Sequence, residues 1–142
     1  MAYFIGSDYG MYGYGESCGA AFRHILSIMP NGSSLYLPAG LYADFLDVEI
    51  VNRHDLTFYG DGHATILQRT NTVSGSGDMF RFRGCTGIQF RDMAFDQNGL
   101  DRFGGIVAYD AARWRVNGCR FFDSNPPPVG TTVTYTYRGL TR

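Results

Sequence analysis

Short strand-like phrases recur along this chain at a nearly constant interval. Ile88-Gln89-Phe90 aligns with Trp114-Arg115-Val116, and Phe95 aligns with Phe121 at the same interval. No long helical pattern separates the repeated phrases. A repeat of this length, built from short strands without crossover helices, is typical of a parallel β-helix. The sequence therefore predicts an all-β, right-handed parallel β-helix of three to four coils.

The repeat continues towards both ends of the chain. Ile106–Tyr109 follows the strand Phe80–Arg83 at the interval that separates Phe95 from Phe121. In the other direction, residues 56–58 precede residues 88–90 by a longer interval, which fits the same unit with an insertion at residues 74–77. That polar stretch, rich in Ser and Gly, is expected to leave the stack as a loop.

Residues 1–16 are rich in glycine and tyrosine and follow neither a strand period nor a helix period. We interpret them as an N-terminal attachment arm, because aromatic side chains on a glycine-rich backbone can dock onto a partner at a low entropic cost. Tyr9, Tyr12 and Tyr14 are the residues expected to make this contact. The alternative is a disordered terminus.

The next segment, residues 17–31, predicts a short amphipathic helix. Its apolar residues follow the i, i+3, i+4 spacing of a helix face, and Ser17 stands where an N-cap is expected. The pattern ends before Pro30. A solenoid must cover the open end of its core and its first strand edges, so we expect this helix to cap the first coil. The apolar residues are Ala21, Phe22, Ile25, Leu26 and Met29.

Residues 32–142 are predicted to form the β-helix itself. The coils open at residues 35–42, where an alternating strand, a Pro-Ala-Gly corner and a second strand follow one another. After three prolines at residues 126–128, residues 131–138 predict a C-terminal strand that closes the last coil or pairs with a neighbouring subunit. So few coils with two open ends are marginal alone, and the length therefore favours self-association.

Charge and cysteine content argue against several partners and cofactors. The net charge of −1, from 12 basic and 13 acidic residues, provides no field that attracts nucleic acid or an anionic membrane. No stretch approaches the ~20 apolar residues of a spanning helix, and the first residues show no secretory pattern. The cysteines lie far apart without metal-binding spacing, so we expect buried thiols in a reducing compartment. They are Cys18, Cys85 and Cys119.

Two phrases resemble a known family. The helix leading into Leu35-Tyr36-Leu37-Pro38-Ala39-Gly40-Leu41-Tyr42 and the stretch at residues 56–67 are similar to the opening of pectate-lyase-like β-helix proteins, especially their phage tail-spike and fibre branch. There a YLPAGxY turn follows the capping helix and a GxGxxATxL turn comes next. The resemblance covers about residues 17–125. It implies the fold more strongly than an activity, because the superfamily includes lyases, hydrolases and non-enzymatic virion proteins.

The catalytic residues that this resemblance would imply are not evident. A polygalacturonase-type hydrolase would carry paired aspartates, a Gly-His-Gly turn and an Arg-x-Lys strand, and Gly62-His63-Ala64 is not that turn. A calcium-dependent lyase would need clustered carboxylates, because Ca²⁺ prefers roughly six to eight oxygen ligands. The carboxylates left as candidates are Asp92, Asp96, Asp101, Asp110 and Asp123.

Asp96 and Asp123 are the weak catalytic candidates among them. Adjacent coils lie about 4.8 Å apart, so two such carboxyl groups could reach the separation of roughly 5–9.5 Å that glycosidases use. Both residues also stand in good turn sequences, and the turn role is the favoured one. The sequence leaves catalysis open and favours a non-enzymatic protein.

A second candidate surface is a glycan-binding face on the later coils. Arg81, Arg83, Trp114 and Arg115 are its proposed members, since arginines alternate outward there and could bind acidic glycans. Arg91, Arg113 and Arg120 share the alternation. The alternative is that these arginines keep the solenoid solvated and discourage edge pairing. Trp114 and the phenylalanines could form a sugar-stacking platform, but stacking inside the core is the favoured role for all of them. The phenylalanines are Phe58, Phe82, Phe90, Phe95 and Phe121.

Together these observations predict a structural virion protein, namely a tail-spike, tail-fibre or head-spike subunit that mediates assembly and host-surface attachment. The resemblance implies a homotrimer. The arm is expected to bind other virion proteins, with host surface polysaccharide as a further partner and no cofactor, metal, nucleic acid or membrane. Such a protein is made in the host cytoplasm. The alternatives are a secreted β-helix protein that degrades or binds polysaccharide, and an N-terminal fragment of a longer depolymerase.

Overall fold

A computed structural model describes residues 2–70, 78–98 and 106–122. Within these ranges the chain forms one α-helix, two short 3-10 helices (Gly6–Tyr9 and Gly62–Ala64) and a series of short strands. The helix α1 spans Gly19–Ile28, and the strands are β1 (Tyr3–Ile5), β2 (Tyr14–Ser17), β3 (Ser34–Leu37), β4 (Gly40–Phe45), β5 (Val48–Val51), β6 (Thr57–Gly60), β7 (Thr65–Arg69), β8 (Phe80–Arg83), β9 (Gln89–Arg91), β10 (Ala94–Asp96), β11 (Ile106–Tyr109), β12 (Arg115–Asn117) and β13 (Arg120–Phe122).

The strands form three parallel sheets that run along one axis. Sheet A has the order β1-β3-β6-β9-β12, sheet B the order β2-β4-β7-β10-β13, and sheet C the order β5-β8-β11. Each complete coil contributes one strand to each sheet, in the order A, B, C. The described residues hold three complete coils, with a partial coil before them and another after. The fold is therefore an all-β parallel β-helix, as predicted.

The strand registers confirm the predicted repeat. Gln89 pairs with Arg115, and Phe95 pairs with Phe121, so the same interval along the chain separates both pairs. In sheet C, β8 and β11 are related by that interval too. The repeat read from the sequence is thus the length of one coil.

The longer interval between residues 56–58 and 88–90 is also confirmed, but most of its extra length is not where we expected it. Thr57 pairs with Gln89, and Ile66 pairs with Ala94. Thr57 and Ile66 are nine positions apart, whereas their partners are only five positions apart. Most of the extra length therefore lies in the turn between β6 and β7, where a 3-10 helix forms, and less of it lies between β7 and β8.

The inward-facing phenylalanines stack from coil to coil, as predicted. The rings of Phe58 and Phe90 lie 4.9 Å apart in a stacked arrangement, and those of Phe95 and Phe121 lie 4.6 Å apart at an angle of 8°. All four side chains, and Phe82, are buried. In strands such as β5, β7 and β8, buried residues alternate with more exposed ones because successive side chains of a strand point to opposite faces.

Residues with a left-handed backbone stack at the corner where sheet C leads into sheet A. Asn52, Gly84 and Asp110 follow β5, β8 and β11 and have φ values of 53°, 64° and 51°. The N–H of Asn52 donates to the Arg83 carbonyl at 2.9 Å, and the N–H of Gly84 donates to the Tyr109 carbonyl at 3.0 Å. Gly, Asn and Asp adopt this conformation most readily. The geometry of the coil therefore selects the residue types of the corner.

The N-terminal segment differs from the predicted arm. We expected residues 1–16 to lie outside the stack, but β1 pairs in register with β3, and β2 pairs with β4. The edges of β3 and β4 offer unpaired backbone groups, and residues 2–17 satisfy them. Gly10 and Gly13, which lie between the two strands, have φ values of 96° and 81°, and these permit the tight path of the chain there. This segment is the first partial coil of the solenoid.

The helix caps the core, as predicted. Phe22, Ile25 and Leu26 on its inner face are buried, and the Phe22 ring lies 5.4 Å from Phe45 and 5.5 Å from Phe80. The predicted N-cap was wrong. Cys18 occupies the cap position, while the Ser17 hydroxyl donates to the Asp44 carboxylate across the first coil.

The cysteines are free thiols, and two of them are buried, as predicted. Cys18 and Cys85 are fully buried, and Cys119 is half-buried. Burial raises the pKa of the Cys18 thiol to about 12 and that of the Cys119 thiol to about 11. These thiols are protonated at neutral pH and are poor nucleophiles. In the part of the chain that the structure describes, no helix has the length and apolar character needed to cross a membrane.

Candidate functional site

The carboxylate of Asp96 takes part in turn geometry. Asp96 is 7% exposed, its Oδ2 accepts from Gln68 Nε2 at 2.9 Å, and its Oδ1 accepts from the Asn98 N–H at 2.8 Å. Both oxygens therefore have structural partners. Asp123, its proposed catalytic partner, lies outside the described residues, and so does Asp101. Asp92 and Asp110 occupy left-handed corner positions.

A different pair of carboxylates meets on sheet C, and the sequence analysis missed it. Arg81 Nη2 lies 3.0 Å from Asp47 Oδ1 and 3.5 Å from Asp78 Oδ2, so the two carboxylates share one guanidinium nitrogen. Glu49 Oε2 lies 3.9 Å from Arg81 Nη1. Asp47 directly precedes β5, and Asp78 stands just before β8, a relation that becomes visible only when the coils are aligned.

Asp78 is the unusual member of this group. It is 5% exposed, and its Oδ1 has no hydrogen-bond partner among the protein atoms described. Burial raises the pKa of the Asp78 carboxyl above its usual range, and the neighbouring Arg81 only partly offsets this. Within residues 2–70, 78–98 and 106–122, no group of His, Cys, Asp and Glu side chains is arranged to hold a metal ion.

The four residues proposed for a glycan face do not share one surface. Arg81 and Arg83 project from sheet C, where Arg83 Nε lies 3.3 Å from Glu49 Oε2 and its guanidinium lies 4.6 Å above the Tyr109 ring. Trp114 packs inward at the corner. Its Nε1 donates to the Cys85 carbonyl at 2.9 Å, and its ring meets the Phe82 ring edge-on at 4.8 Å. Arg115 projects from sheet A.

Sheet A carries an outward row of side chains that the sequence analysis did not bring together. Tyr36 pairs with Tyr59, and Tyr59 pairs with Arg91, in consecutive coils. The two tyrosine rings stack at 5.1 Å, and the Arg91 guanidinium lies 5.3 Å from the Tyr59 ring centroid. The Tyr36 hydroxyl donates to Asp61 Oδ1 at 2.6 Å, which fixes the end of the row.

A second outward row runs beside it. It consists of neutral polar residues followed by Arg115, and the register places Thr57 beside Gln89 and Gln89 beside Arg115. We call the two rows together the sheet A face. Its residues are Ser34, Tyr36, Thr57, Tyr59, Gln89, Arg91, Arg115 and Asn117.

The arginines of the sheet A face differ from those of sheet C. Arg91 and Arg115 are both exposed, and within the described residues neither forms an ion pair. All 12 basic residues of the chain are arginines, since the sequence contains no lysine. Each cation on this face is therefore a planar guanidinium, which binds carboxylate, sulfate and phosphate groups in a bidentate manner.

The tyrosines proposed for docking separate into two groups. Tyr12 and Tyr14 are 56% and 88% exposed, and their rings stack at 6.3 Å. Tyr9 instead packs into the protein, with its ring 5.9 Å from Phe4 and 6.3 Å from His24.

Tyr12 and Tyr14 belong to a wider exposed apolar surface at the N-terminal end. Every large hydrophobic residue that is exposed in the described chain lies at the N-terminal end of the solenoid. These residues are on the first strand of a sheet (β1, β2 or β5), just before β2, or on α1. We call this surface the N-terminal belt. Its members are Tyr3, Ile5, Tyr12, Tyr14, Ile28 and Val51.

No protein-family model and no curated protein matches the sequence. Several solved structures do match its fold. A 1,3-α-1,4-β-D-galactose-4-sulfate-3,6-anhydro-D-galactose-2-sulfate 4-galactohydrolase aligns with a TM-score of 0.70 at 16% identity, over 87% of this chain and 31% of that chain. An iota-carrageenase complexed to iota-carrageenan fragments aligns with a TM-score of 0.68 at 17% identity, over 87% of this chain and 29% of that chain.

A viral protein, ORF18 of Geobacillus virus E2, aligns with a TM-score of 0.61 at 16% identity, over 87% of this chain and 37% of that chain. The chain thus spans about a third of the length of the proteins it matches. At these identities the likeness concerns the fold. This chain is similar to β-helix proteins of two kinds, glycan hydrolases and a phage protein.

Proposed function

We propose that this chain is a structural virion protein, the β-helix of a tail spike, tail fibre or head spike that assembles as a homotrimer and attaches to the host surface. The observation that carries this proposal is the N-terminal belt. The fold likeness to a phage protein is consistent with it.

The belt has the chemistry of an interface. Its tyrosines are large and rigid, and they supply contact area at a low entropic cost. Within the described residues, the first strands beside them, β1, β2 and β5, are each the end strand of their sheet. An end strand can pair with another chain through its outer edge. Beside and on β2, the N–H groups of Tyr12 and Tyr14 already donate to the Glu16 carboxylate at 2.9 Å, so β1 and β5 are the edges left for pairing.

The position of the belt also indicates how a partner would bind. Its members occur at the first strands of all three sheets, so a partner that contacts a single sheet would leave most of them exposed to water. A partner that covers the whole end, or neighbouring copies that meet around it, would bury them together. Both arrangements fit a subunit that joins a larger particle through its N-terminal end.

Sedimentation of the purified chain tests this proposal. We expect a trimer, and we expect Tyr14→Ser combined with Ile5→Ser to shift the chain towards the monomer while the fold is retained. Tyr59→Ser is the matched control, because it removes a tyrosine from the outer surface away from the belt. A stable monomer of the unmodified chain, or equal effects of both sets of changes, would contradict the assembly role.

Hydrolysis of a glycan is the second candidate function, and the Asp47–Asp78 pair favours it. A buried carboxyl with a raised pKa lies beside a more exposed carboxylate, and the two contact the same Arg81 nitrogen at 3.5 Å and 3.0 Å. In such an arrangement one group can act as acid and the other as base or nucleophile. Iota-carrageenan is the substrate to try first, because carrageenases share the fold. New reducing ends that disappear with Asp78→Asn would support this candidate.

A further inference from the structure

We infer that the sheet A face binds an anionic polysaccharide, with Arg91 and Arg115 contacting its acidic groups. The inference rests on the attachment role proposed above and names the chemistry of what is attached.

Charge is the first part of the argument. The sheet C arginines already have acidic partners within the chain, Arg81 with Asp47 at 3.0 Å and Arg83 with Glu49 at 3.3 Å. Arg91 and Arg115 have none among the described residues, and none of the outward strand positions of sheet A carries a carboxylate. The outward strand positions of this face therefore carry two positive charges and no negative charge, and Asp61, which accepts from the Tyr36 hydroxyl, lies at the end of the face opposite Arg115. An anionic ligand would supply the missing partners.

The position of Arg91 is the second part. Its guanidinium lies against the Tyr59 ring at 5.3 Å, and the Tyr36 ring covers the other side of Tyr59. A guanidinium that is held by a ring has fewer conformations to lose when it binds, so more of each contact contributes to affinity. The register places Arg91 and Arg115 at diagonal positions on adjacent strands, where one acidic chain can reach both.

The neutral members of the face are the third part. Ser34, Thr57, Gln89 and Asn117 offer hydroxyl and amide groups at successive layers, about 4.8 Å apart. A sugar chain lying along the solenoid axis would present ring hydroxyls at a comparable spacing. A nucleic acid fits less well, because both faces of the Tyr59 ring, which could otherwise stack on bases, are covered by Tyr36 and Arg91.

Binding to dextran sulfate, with unmodified dextran as the neutral control on the same backbone, tests this inference. The test variant is Arg91→Gln with Arg115→Gln, and the control variant is Arg83→Gln with Arg120→Gln, which removes the same charge from sheets C and B. We expect dextran sulfate to bind and dextran not to bind. The test variant should weaken binding by about tenfold or more, whereas the control variant should change it by less than about twofold.

Alginate in place of dextran sulfate identifies the acidic group, because carboxylate recognition predicts that it binds and sulfate recognition predicts that it does not. The inference is overturned if dextran sulfate does not bind, if both double variants weaken it equally, or if single-stranded DNA binds more tightly. Sedimentation of the same samples separates the two proposals: a trimer that fails to bind dextran sulfate contradicts the sheet A face and leaves the assembly role intact.

Discussion

The guanidinium of Arg53 donates to the main-chain carbonyl of Leu26 at 2.6 Å. This hydrogen bond links the turn that follows β5 to the end of the capping helix. The same side chain donates to the Met29 carbonyl and, through Nε, to Asn31 Oδ1 at 2.9 Å. The last carbonyls of a helix have no partner within the helix. One arginine therefore holds the cap on the core.

Arg53→Gln is expected to lower the free energy of unfolding by about 2–3 kcal/mol, because charge-assisted hydrogen bonds to helix carbonyls are lost and these groups are left half-buried. Urea denaturation measures the change. Arg113→Gln is the control, since its ion pair with Asp55 is exposed at 3.7 Å and should contribute less than about 1 kcal/mol. Equal effects of the two changes would contradict the role of Arg53.

Asp44 is expected to make stability depend on acid pH. Hydrogen bonds from the Ser17 and Thr70 hydroxyls lower the pKa of its carboxyl in the folded state. Because the folded pKa is the lower one, the stabilisation is present above the unfolded pKa of about 3.9 and is lost as the pH falls through the folded value. Asp44→Asn retains a residue that tolerates the left-handed backbone at φ 73°. Its deficit relative to the parent chain should be largest at neutral pH and shrink in acid.

Asp78 is expected to make stability depend on pH in the opposite direction. Burial raises the pKa of its carboxyl, so its contribution is complete below the unfolded pKa and is lost as the pH rises through the folded value. Asp78→Asn should therefore gain stability relative to the parent chain as the pH rises above the unfolded pKa of about 3.9. Urea midpoints at several pH values measure both aspartate variants. A deficit of Asp78→Asn that grows with pH would show that the ion pair with Arg81 outweighs burial.

Gly87 is expected to resist a side chain more strongly than its backbone conformation alone indicates, because the Asp55 side chain would have to move. Its φ is 69°, and an added Cβ would collide with Asp55 Oδ1 of the preceding coil. Gly62 has a φ of 84° but open space around its Cβ position. Gly62→Ala should cost about 1–2 kcal/mol for the left-handed backbone, and Gly87→Ala should cost clearly more. Thermal unfolding compares them, and equal losses would show that the corner relaxes.

The coils were predictable because their information is local and repeated. Phe95 and Phe121 lie in the same kind of apolar strand, and the interval between them is visible in the sequence. The strands β1 and β2 were not predictable in this way, because such short strands carry no clear period and their partners, β3 and β4, follow only after the capping helix. The contact of the Ser17 hydroxyl with Asp44 could not be predicted for the same reason, because Asp44 is distant from Ser17 in the sequence.

The candidate surfaces were predictable only in part. Alternation correctly placed Arg81, Arg83 and Arg115 outward, but it could not show that the first two find acidic partners. Nor could it place Tyr59 beside Arg91, since that contact depends on the one coil that is longer than the others. Of the two roles predicted for Trp114, the structure supports packing against the core and not a place on the glycan face, because its ring meets Phe82 and its Nε1 donates to the Cys85 carbonyl.

The left-handed corner at Asn52, Gly84 and Asp110 bears on how such a chain can change its length. The N–H groups of Asn52 and Gly84 donate to the carbonyls of Arg83 and Tyr109, the residues just before the corner of the next coil, so the corners match only when whole coils lie between them. Duplication or loss of the segment from one corner to the next preserves that match, while a shift of one residue within a strand reverses which of its side chains face inward. The turn between β6 and β7 holds extra residues without such a shift. Changes of length in the strands and corners should therefore come in units of one coil, and shorter insertions should occur in the turns.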